Sequence, residues 1–379
     1  MEPKALFTAS TYSHIRNFHL PYIRALRDQG WSVHVACGGA PMELPEAGRV
    51  IHLPFEKKMS SPRNFGAARL LHREMAREGY ALVSAHTSLA AFFTRLAVRG
   101  LDPRPVVVNT SHGYLFDDGT PALKRQILLW AERLTAGDTD LLLTMNGWDD
   151  TLARKYRLGR EIVHIPGVGV DFSRFSAPDP AAAEALRGEF GFTRGNFLCV
   201  YAAEFSQRKH QETLIRALPL LPERVALLLP GDGALWEDCR ALAAGLGVER
   251  RVIFPGQVQN MALWYAASDC AVSSSRSEGL PFNIMEAMYL GLPVAASAVK
   301  GHVDLICDGE NGLLFPYGDV EACAASLRRL SGQPELAAAL SQRARADSEQ
   351  YSLERVLPAV MDAYGLVVPA LHAKEGSYR

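Results

Sequence analysis

The feature that most constrains the fold is an alternation that runs through the chain twice. Short apolar runs are followed each time by an amphipathic stretch of helical period. In the first series Ala5–Thr8, Ser32–Ala36, Arg49–Leu53, Leu82–Ala85, Val106–Thr110, Leu141–Met145 and Ile162–Ile165 read as strands. Helices are predicted between them over Asn17–Gln29, Phe65–Glu78, Ser88–Arg99, Pro121–Ala136 and Asp149–Tyr156. The segment PGVGVDFSRFSAPDP then reads as a linker, because Gly and Pro end regular structure. Beyond it, Leu198–Ala202, Ala226–Leu229, Val252–Phe254, Cys270–Ser273 and Val294–Ala296 are expected strands. Gln211–Leu218, Leu235–Leu246, Met261–Ala267, Asn283–Leu290, Val320–Leu330, Pro334–Tyr351 and Leu353–Leu366 are expected helices. Strands that alternate with helices build parallel sheets covered by helices on both faces. The fold class is therefore α/β. With 379 residues the chain is long enough for two domains of about 150–200 residues each. The expected domains are residues 1–168 and 169–352, with a final helix at about 353–371 packing back on the first. Ligands in such sheets bind beyond the carboxyl ends of the strands, so a cleft between two facing domains is expected.

Composition narrows the function classes. The net charge of −1 argues against binding nucleic acid. Residues 1–170 carry 21 Lys+Arg against 16 Asp+Glu, a modest basic excess that suits an anionic surface or phosphorylated ligand and equally suits ordinary solvated charge. The six cysteines form no CxxC pair and read as reduced, packed thiols, and their spacing predicts no metal site. No GxGxxG follows the first strand and no GxxxxGK[ST] is present, which weakens the nicotinamide and nucleotide-triphosphate readings. The start MEPKALFTAS lacks the pattern of a signal peptide, and no apolar run approaches the roughly 20 residues of a membrane span. The expected location is the cytoplasm, with any membrane contact peripheral.

The stretch Ser277–Met288, SEGLPFNIMEAM, carries the most chemistry. Gly279 permits a tight turn and Pro281 suits the first turn of a helix. The backbone N–H groups of Phe282 and Asn283 at the helix start would favour a diphosphate. Glu278 before the helix and Glu286 inside it would accept hydrogen bonds from hydroxyls. Two glutamates eight apart are equally compatible with surface charge on spacing alone.

The surrounding residues resemble a known family. SSSRSEGLPFNIMEAMYLGLPVAASAVKGHVDLICDGENGLLF is similar to the donor-site segment of the family 4 retaining glycosyltransferases, including its E-x7-E pair. YAAEFSQRKHQETLIRAL resembles that family's phosphate-binding strand, loop and helix, the Gly231-Asp232-Gly233 run its GDG turn, and VIFPG, ending at Gly256, the turn beside the nucleobase. HIRNFHLPYIRALRDQGWSVHVA, NTSHGYLF and HIPGVGVD resemble bacterial members that build capsular and exopolysaccharide repeat units. The resemblance implies a GT-B fold of two Rossmann-like domains, the first for the acceptor and the second for the donor. It implies retaining transfer from a nucleotide-sugar donor, UDP-linked, to a saccharide or polyprenyl-diphosphate-linked acceptor at the inner face of the membrane. Glu278 matches the glutamate by the transferred sugar, Glu286 the one on ribose, Lys209 the lysine on the diphosphate and His112 the acceptor-domain histidine. Leu280, Pro281, Phe282 and Asn283 fall in the donor loop. Glu204 stands where an arginine is common in the family, so Arg208 is expected to supply the missing charge. No metal and no cofactor is implied, since Lys209 and Arg208 would neutralise the diphosphate. His86, Lys57, Lys58 and Arg63 are acceptor-side candidates, the last three also for anionic headgroups. A nucleotide-sugar epimerase or hydrolase, or a non-catalytic sugar-nucleotide-binding protein, remains an alternative.

Overall fold

The computed structural model describes residues 2–175 and 179–371. Residues 176–178 of the expected linker lie outside them. Two units form, one of Met1–Gly169 with Leu353–Arg379 and one of Val170–Ser352.

In the first unit β1 (Lys4–Ala9) leads to two short helices, α1 (Tyr12–Phe18) and α2 (Leu20–Asp28). A single helix over Asn17–Gln29 was expected. Pro21 has no amide hydrogen to continue α1, so α1 stops and α2 begins with that proline in its first turn. The order continues as β2 (Ser32–Cys37), β3 (Arg49–His52), α3 (Pro62–Glu78), β4 (Leu82–His86), α4 (Ser88–Ala97), β5 (Val106–Ser111), α5 (Ala122–Thr135), β6 (Leu141–Thr144), α6 (Gly147–Tyr156) and β7 (Glu161–His164). The parallel sheet has the order β3-β2-β1-β4-β5-β6-β7. Its strand order reverses between β1 and β4, and this switch point is where α/β sheets open a crevice. The central strands are buried on both faces, as Leu6, Phe7, Val83, Val107 and Leu142 show.

The second unit adds α7 (Pro180–Glu189), β8 (Phe197–Val200), α8 (Glu212–Ala217), β9 (Val225–Leu228), α9 (Trp236–Gly245), β10 (Val252–Ile253), α10 (Met261–Ala266), β11 (Cys270–Ser273), α11 (Phe282–Tyr289), β12 (Val294–Ser297), β13 (Leu313–Phe315), α12 (Val320–Gly332) and α13 (Pro334–Ser348). Its parallel sheet runs β10-β9-β8-β11-β12-β13, with the reversal between β8 and β11. Helix α7 and strand β13 were not expected. The helix is started by the Asp179 carboxylate, which accepts from the Ala181 N–H, with Pro180 in its first turn. The strand is only three residues long, too short to show a period, and is recruited by β12.

After α13 comes α14 (Leu353–Gly365), which belongs to the first unit. Tyr364 on it places its hydroxyl 2.6 Å from Ser84 Oγ on β4. The six cysteines are free; Cys307 alone is exposed.

Helices α4 and α5 are joined by a buried ion pair. Arg95, fully buried, donates to Glu132 at 2.8 Å and to the Ala91 carbonyl at 3.1 Å. Removing one partner of such a pair strands a buried charge, at a cost of about 3–5 kcal/mol. Glu132→Leu should lower unfolding free energy in urea by that order, and Arg95→Met in the same chain should recover most of the loss.

Candidate active site

In the second unit the site begins with two loops that leave adjacent strands at the switch point. One follows β8 and carries Arg208 and Lys209; the other follows β11 and carries Glu278. They are stitched along their backbones. The Arg276 N–H donates to the Arg208 carbonyl at 2.7 Å, and Ser274 Oγ donates to the carbonyls of Lys209 and His210 at 3.1 and 2.9 Å. Tyr201, fully buried on the first loop, donates to the Lys209 carbonyl and shares a 2.7 Å bond with Ser275 Oγ. This tethering holds His210 in a left-handed conformation, φ 52°, which costs energy for a residue with a Cβ and is typical of functional loops.

The stitched loops bring three charges together. Lys209 Nζ donates to Glu278 Oε1 at 2.6 Å and Arg208 Nη1 to Oε2 at 2.8 Å, so each carboxylate oxygen holds one cation. Ser275 Oγ also donates to Glu278. Glu278 is buried at 8% exposure, and burial alone would raise its pKa. The Lys209 and Arg208 charges outweigh that and hold it at about 2. Gly301 lies against the glutamate: a Cβ there would sit 2.8 Å from Glu278 Cβ, and its φ is 85°. Next to it, His302 is fully buried; its Nδ1 donates to the Ser297 carbonyl at 2.8 Å, while its Nε2 has no partner.

Helix α11 starts at Phe282 with Pro281 at its cap and no side-chain cap bond. Leu280 and Pro281 are buried, Gly279 is partly buried, and Asn283 anchors the turn by donating to the Ala202 carbonyl at 3.2 Å. Glu286, one turn on, accepts from Tyr265 at 2.9 Å. Burial pushes its pKa up to about 7, and the Tyr265 hydrogen bond and the Arg174 charge offset this only in part. The Gly231-Asp232-Gly233 run lies beside the backbone of the loop after β8, with the Ala203 N–H donating to Pro230 O and the Phe205 N–H to Asp232 O at 3.0 and 2.9 Å. A Cβ on Gly231 would fall 2.0 Å from Ala203 O, so only glycine fits. The Gly231 N–H reaches Gly256 O at 2.8 Å. Glu204 is exposed, and its backbone carbonyl, accepting from Gln211 at 2.9 Å, is what ties it into the loop.

In the first unit four histidines gather at the other switch point. His14 lies on α1, His19 joins α1 to α2, His86 ends β4 and His112 follows β5. His14 Nε2 is 3.2 Å from His19 Nε2 and 3.3 Å from His112 Nε2, and His86 Nδ1 is 3.4 Å from His112 Nε2. His86 stacks on His19 with centroids 3.6 Å apart, and its Nε2 meets Ser84 Oγ at 2.9 Å. Burial lowers all four pKa values, that of His14 to about 4, and mutual repulsion lowers those of His19, His86 and His112 further. Thr87, directly after His86, is held at φ 63° while its Oγ1 accepts from the Ser10 N–H at 3.0 Å. Lys57 and Lys58 are exposed in the loop before α3, and Arg63 in the first turn of α3 is paired with Glu56 at 2.9 Å. Bonds among Glu56, Lys58, Ser61 and Asn64 tie that loop to the start of the helix.

Residues 183–347 match the family described as Glycosyl transferases group 1, and residues 22–174 match Glycosyltransferase Family 4. The relative named "Putative glycosyltransferase EpsD" from Bacillus subtilis (strain 168) is 33% identical over 370 residues, 96% of this chain and 97% of that protein. The chain belongs to the family 4 glycosyltransferases. A further relative is the Escherichia coli UDP-Gal:alpha-D-GlcNAc-diphosphoundecaprenol alpha-1,3-galactosyltransferase, 24% identical over 84% of this chain and 85% of the relative. Among solved structures, Anabaena HepE in complex with UDP and glucose aligns with a TM-score of 0.80 at 20% identity over 96% of this chain and all of HepE. Sucrose-phosphate synthase from Thermosynechococcus elongatus aligns with a TM-score of 0.81 at 22% identity over 98% of this chain and 100% of its own. These alignments show the GT-B fold. The glycosyltransferase thus acts in glycan biosynthesis. Sequence reasoning missed Tyr265 and Ser275, which bond to Glu286 and Glu278, and His302, whose buried ring interacts electrostatically with Glu278; it included His14 and His19 only within the HIRNFHLPY segment.

Because folding lowers the pKa of Glu278, its stabilising contribution is complete above the ordinary value of 4.5 and is lost as pH falls toward about 2. Lys209→Met should therefore move the acid-unfolding midpoint to higher pH. Gly301→Ala should cost roughly 2 kcal/mol from the left-handed φ alone, read by urea unfolding, and more from displacement of Glu278.

Proposed function

We propose that this enzyme transfers a hexosyl or N-acetylhexosaminyl group from a UDP-sugar to a lipid-diphosphate-linked saccharide, with retention of anomeric configuration. The observation that carries the donor half is the Glu278 carboxylate held between Lys209 and Arg208 at the switch point of the second sheet. The three groups carry a net charge of about +1, which suits an incoming diphosphate. In this reading the two cations turn to the diphosphate and free the Glu278 oxygens to accept hydroxyls of the sugar. When the anomeric carbon–oxygen bond breaks, negative charge grows on the departing diphosphate, and the same cations stabilise it without a metal. The acceptor hydroxyl attacks the anomeric carbon from the face the diphosphate leaves, and its proton passes to a phosphate oxygen. Glu286, already bonded by Tyr265, accepts the ribose hydroxyls. The first unit handles the acceptor, with His112 and His86 as its candidate side chains. UDP and glucose in the HepE structure, and the UDP-Gal and diphosphoundecaprenol in the E. coli relative's name, support this choice of substrates.

A membrane-bound acceptor calls for a membrane-facing surface, and α5 supports one. Leu123, Ile127, Trp130 and Leu134 recur on one helical face and are 76%, 58%, 62% and 39% exposed. Lys124 and Arg133 are exposed on the same helix, while Glu132 is buried against Arg95. Apolar side chains with basic neighbours suit an anionic bilayer surface. Among the described residues no helix is long and apolar enough to cross a membrane.

A panel of UDP-sugars scored by thermal stabilisation should single out one donor, and NMR of its product should show the donor's anomeric configuration. Lys209→Met and Glu278→Gln should each lower kcat by about 10²-fold or more. Full turnover in both, or an inverted product, sinks this reading. Ribose hydroxyls prefer an ionised Glu286, whose pKa is about 7. UDP affinity should therefore rise as pH rises through that value, with proton release on binding, and Glu286→Gln should flatten the dependence in calorimetry. Flotation with phosphatidylglycerol vesicles should retain the wild-type protein and lose Leu123→Ser/Trp130→Ser.

A further inference from the structure

We propose that His14, His19 and His112 form a binding site for one divalent cation of the zinc type, with three imidazole ligands and a fourth position open. The ligand nitrogens of these three residues all lie within 4.8 Å of one another. Zinc–imidazole bonds of about 2.0–2.1 Å in a tetrahedron place neighbouring nitrogens about 3.3–3.4 Å apart. The two shortest separations here, 3.2 and 3.3 Å, have that length.

Hydrogen bonding accounts poorly for the same arrangement. A neutral imidazole nitrogen either donates one proton or offers one in-plane lone pair. His14 Nε2 has two Nε2 neighbours at hydrogen-bond distance, and it can serve only one of them well. A cation at the point of convergence uses all three lone pairs together.

Imidazole without thiolate or carboxylate suits borderline ions such as zinc better than magnesium or calcium.

The residues around the three rings hold one another in place. His86 stacks on His19 and is itself held by Ser84, which Tyr364 of α14 engages in turn. The strained Thr87 follows His86 and is tied to Ser10. His14 and His112 keep partial exposure, so a fourth ligand has access from solvent. Three imidazoles with an open position form the ligand set of catalytic rather than structural zinc. That position would take water or an anionic oxygen of a ligand.

The site lies on the first unit, so its test is independent of the donor reading. Untagged, chelator-stripped full-length protein should bind one equivalent of zinc in competition with a chromophoric chelator. Cobalt(II) should give the visible absorption of a tetrahedral site, and zinc should raise the thermal midpoint. His14→Ala, partly exposed and tolerant of truncation, and His112→Gln should each weaken binding at least tenfold while keeping the wild-type far-UV circular dichroism. Absence of stoichiometric binding by the wild-type protein overturns the proposal. So does equal binding by both folded variants.

Discussion

A carboxylate cannot stay ionised in a protein interior without partners, and the second unit is arranged around that fact at Glu278. Its two oxygens are shared between Lys209 and Arg208, which lie about seventy residues earlier on a different loop. For those cations to arrive, the loop after β8 must fold across the loop after β11. Ser274, Tyr201 and the Arg276 amide hold it there by its carbonyls. The strain at His210 and the missing side chain at Gly301 are further conditions of the same arrangement.

The two units use one topology for opposite electrostatics. Both sheets reverse their strand order once, and both gather polar side chains at the carboxyl ends flanking the reversal. In the second unit these side chains are charged and paired. In the first they are imidazoles crowded within hydrogen-bond distance, with desolvation disfavouring the imidazolium form. The charged centre suits a diphosphate. The imidazole centre suits a ligand that accepts lone pairs or exchanges single hydrogen bonds.

The parts of the site that lie within one stretch were legible. Glu278, Pro281 and Glu286 belong to one loop and helix, so spacing and local capping rules describe them. Arg208 was reached because Glu204 stands where an arginine is common, and in the structure Arg208 sits on Glu278 while Glu204 is exposed. The His14 and His19 pair looked ordinary because its partners, His86 and His112, are far along the chain. Tyr265 and His302 were illegible for the same reason. Their roles depend on a hydroxyl meeting Glu286 and a ring packed beside Glu278. The break between α1 and α2 was written in Pro21 and was overlooked, whereas β13 is too short to carry a pattern of its own.

The sequence by itself determined the alternation of strand and helix, the two-part organisation and the donor-loop motif. All of these follow from periodicity, turn chemistry and residue types within short windows. Tertiary structure decided which charges neutralise Glu278, why Glu286 titrates near neutrality, and that four scattered histidines share one point. These are matters of burial and of distance between residues remote in sequence. A local pattern carries neither, because desolvation and Coulomb energy depend on what the fold places alongside.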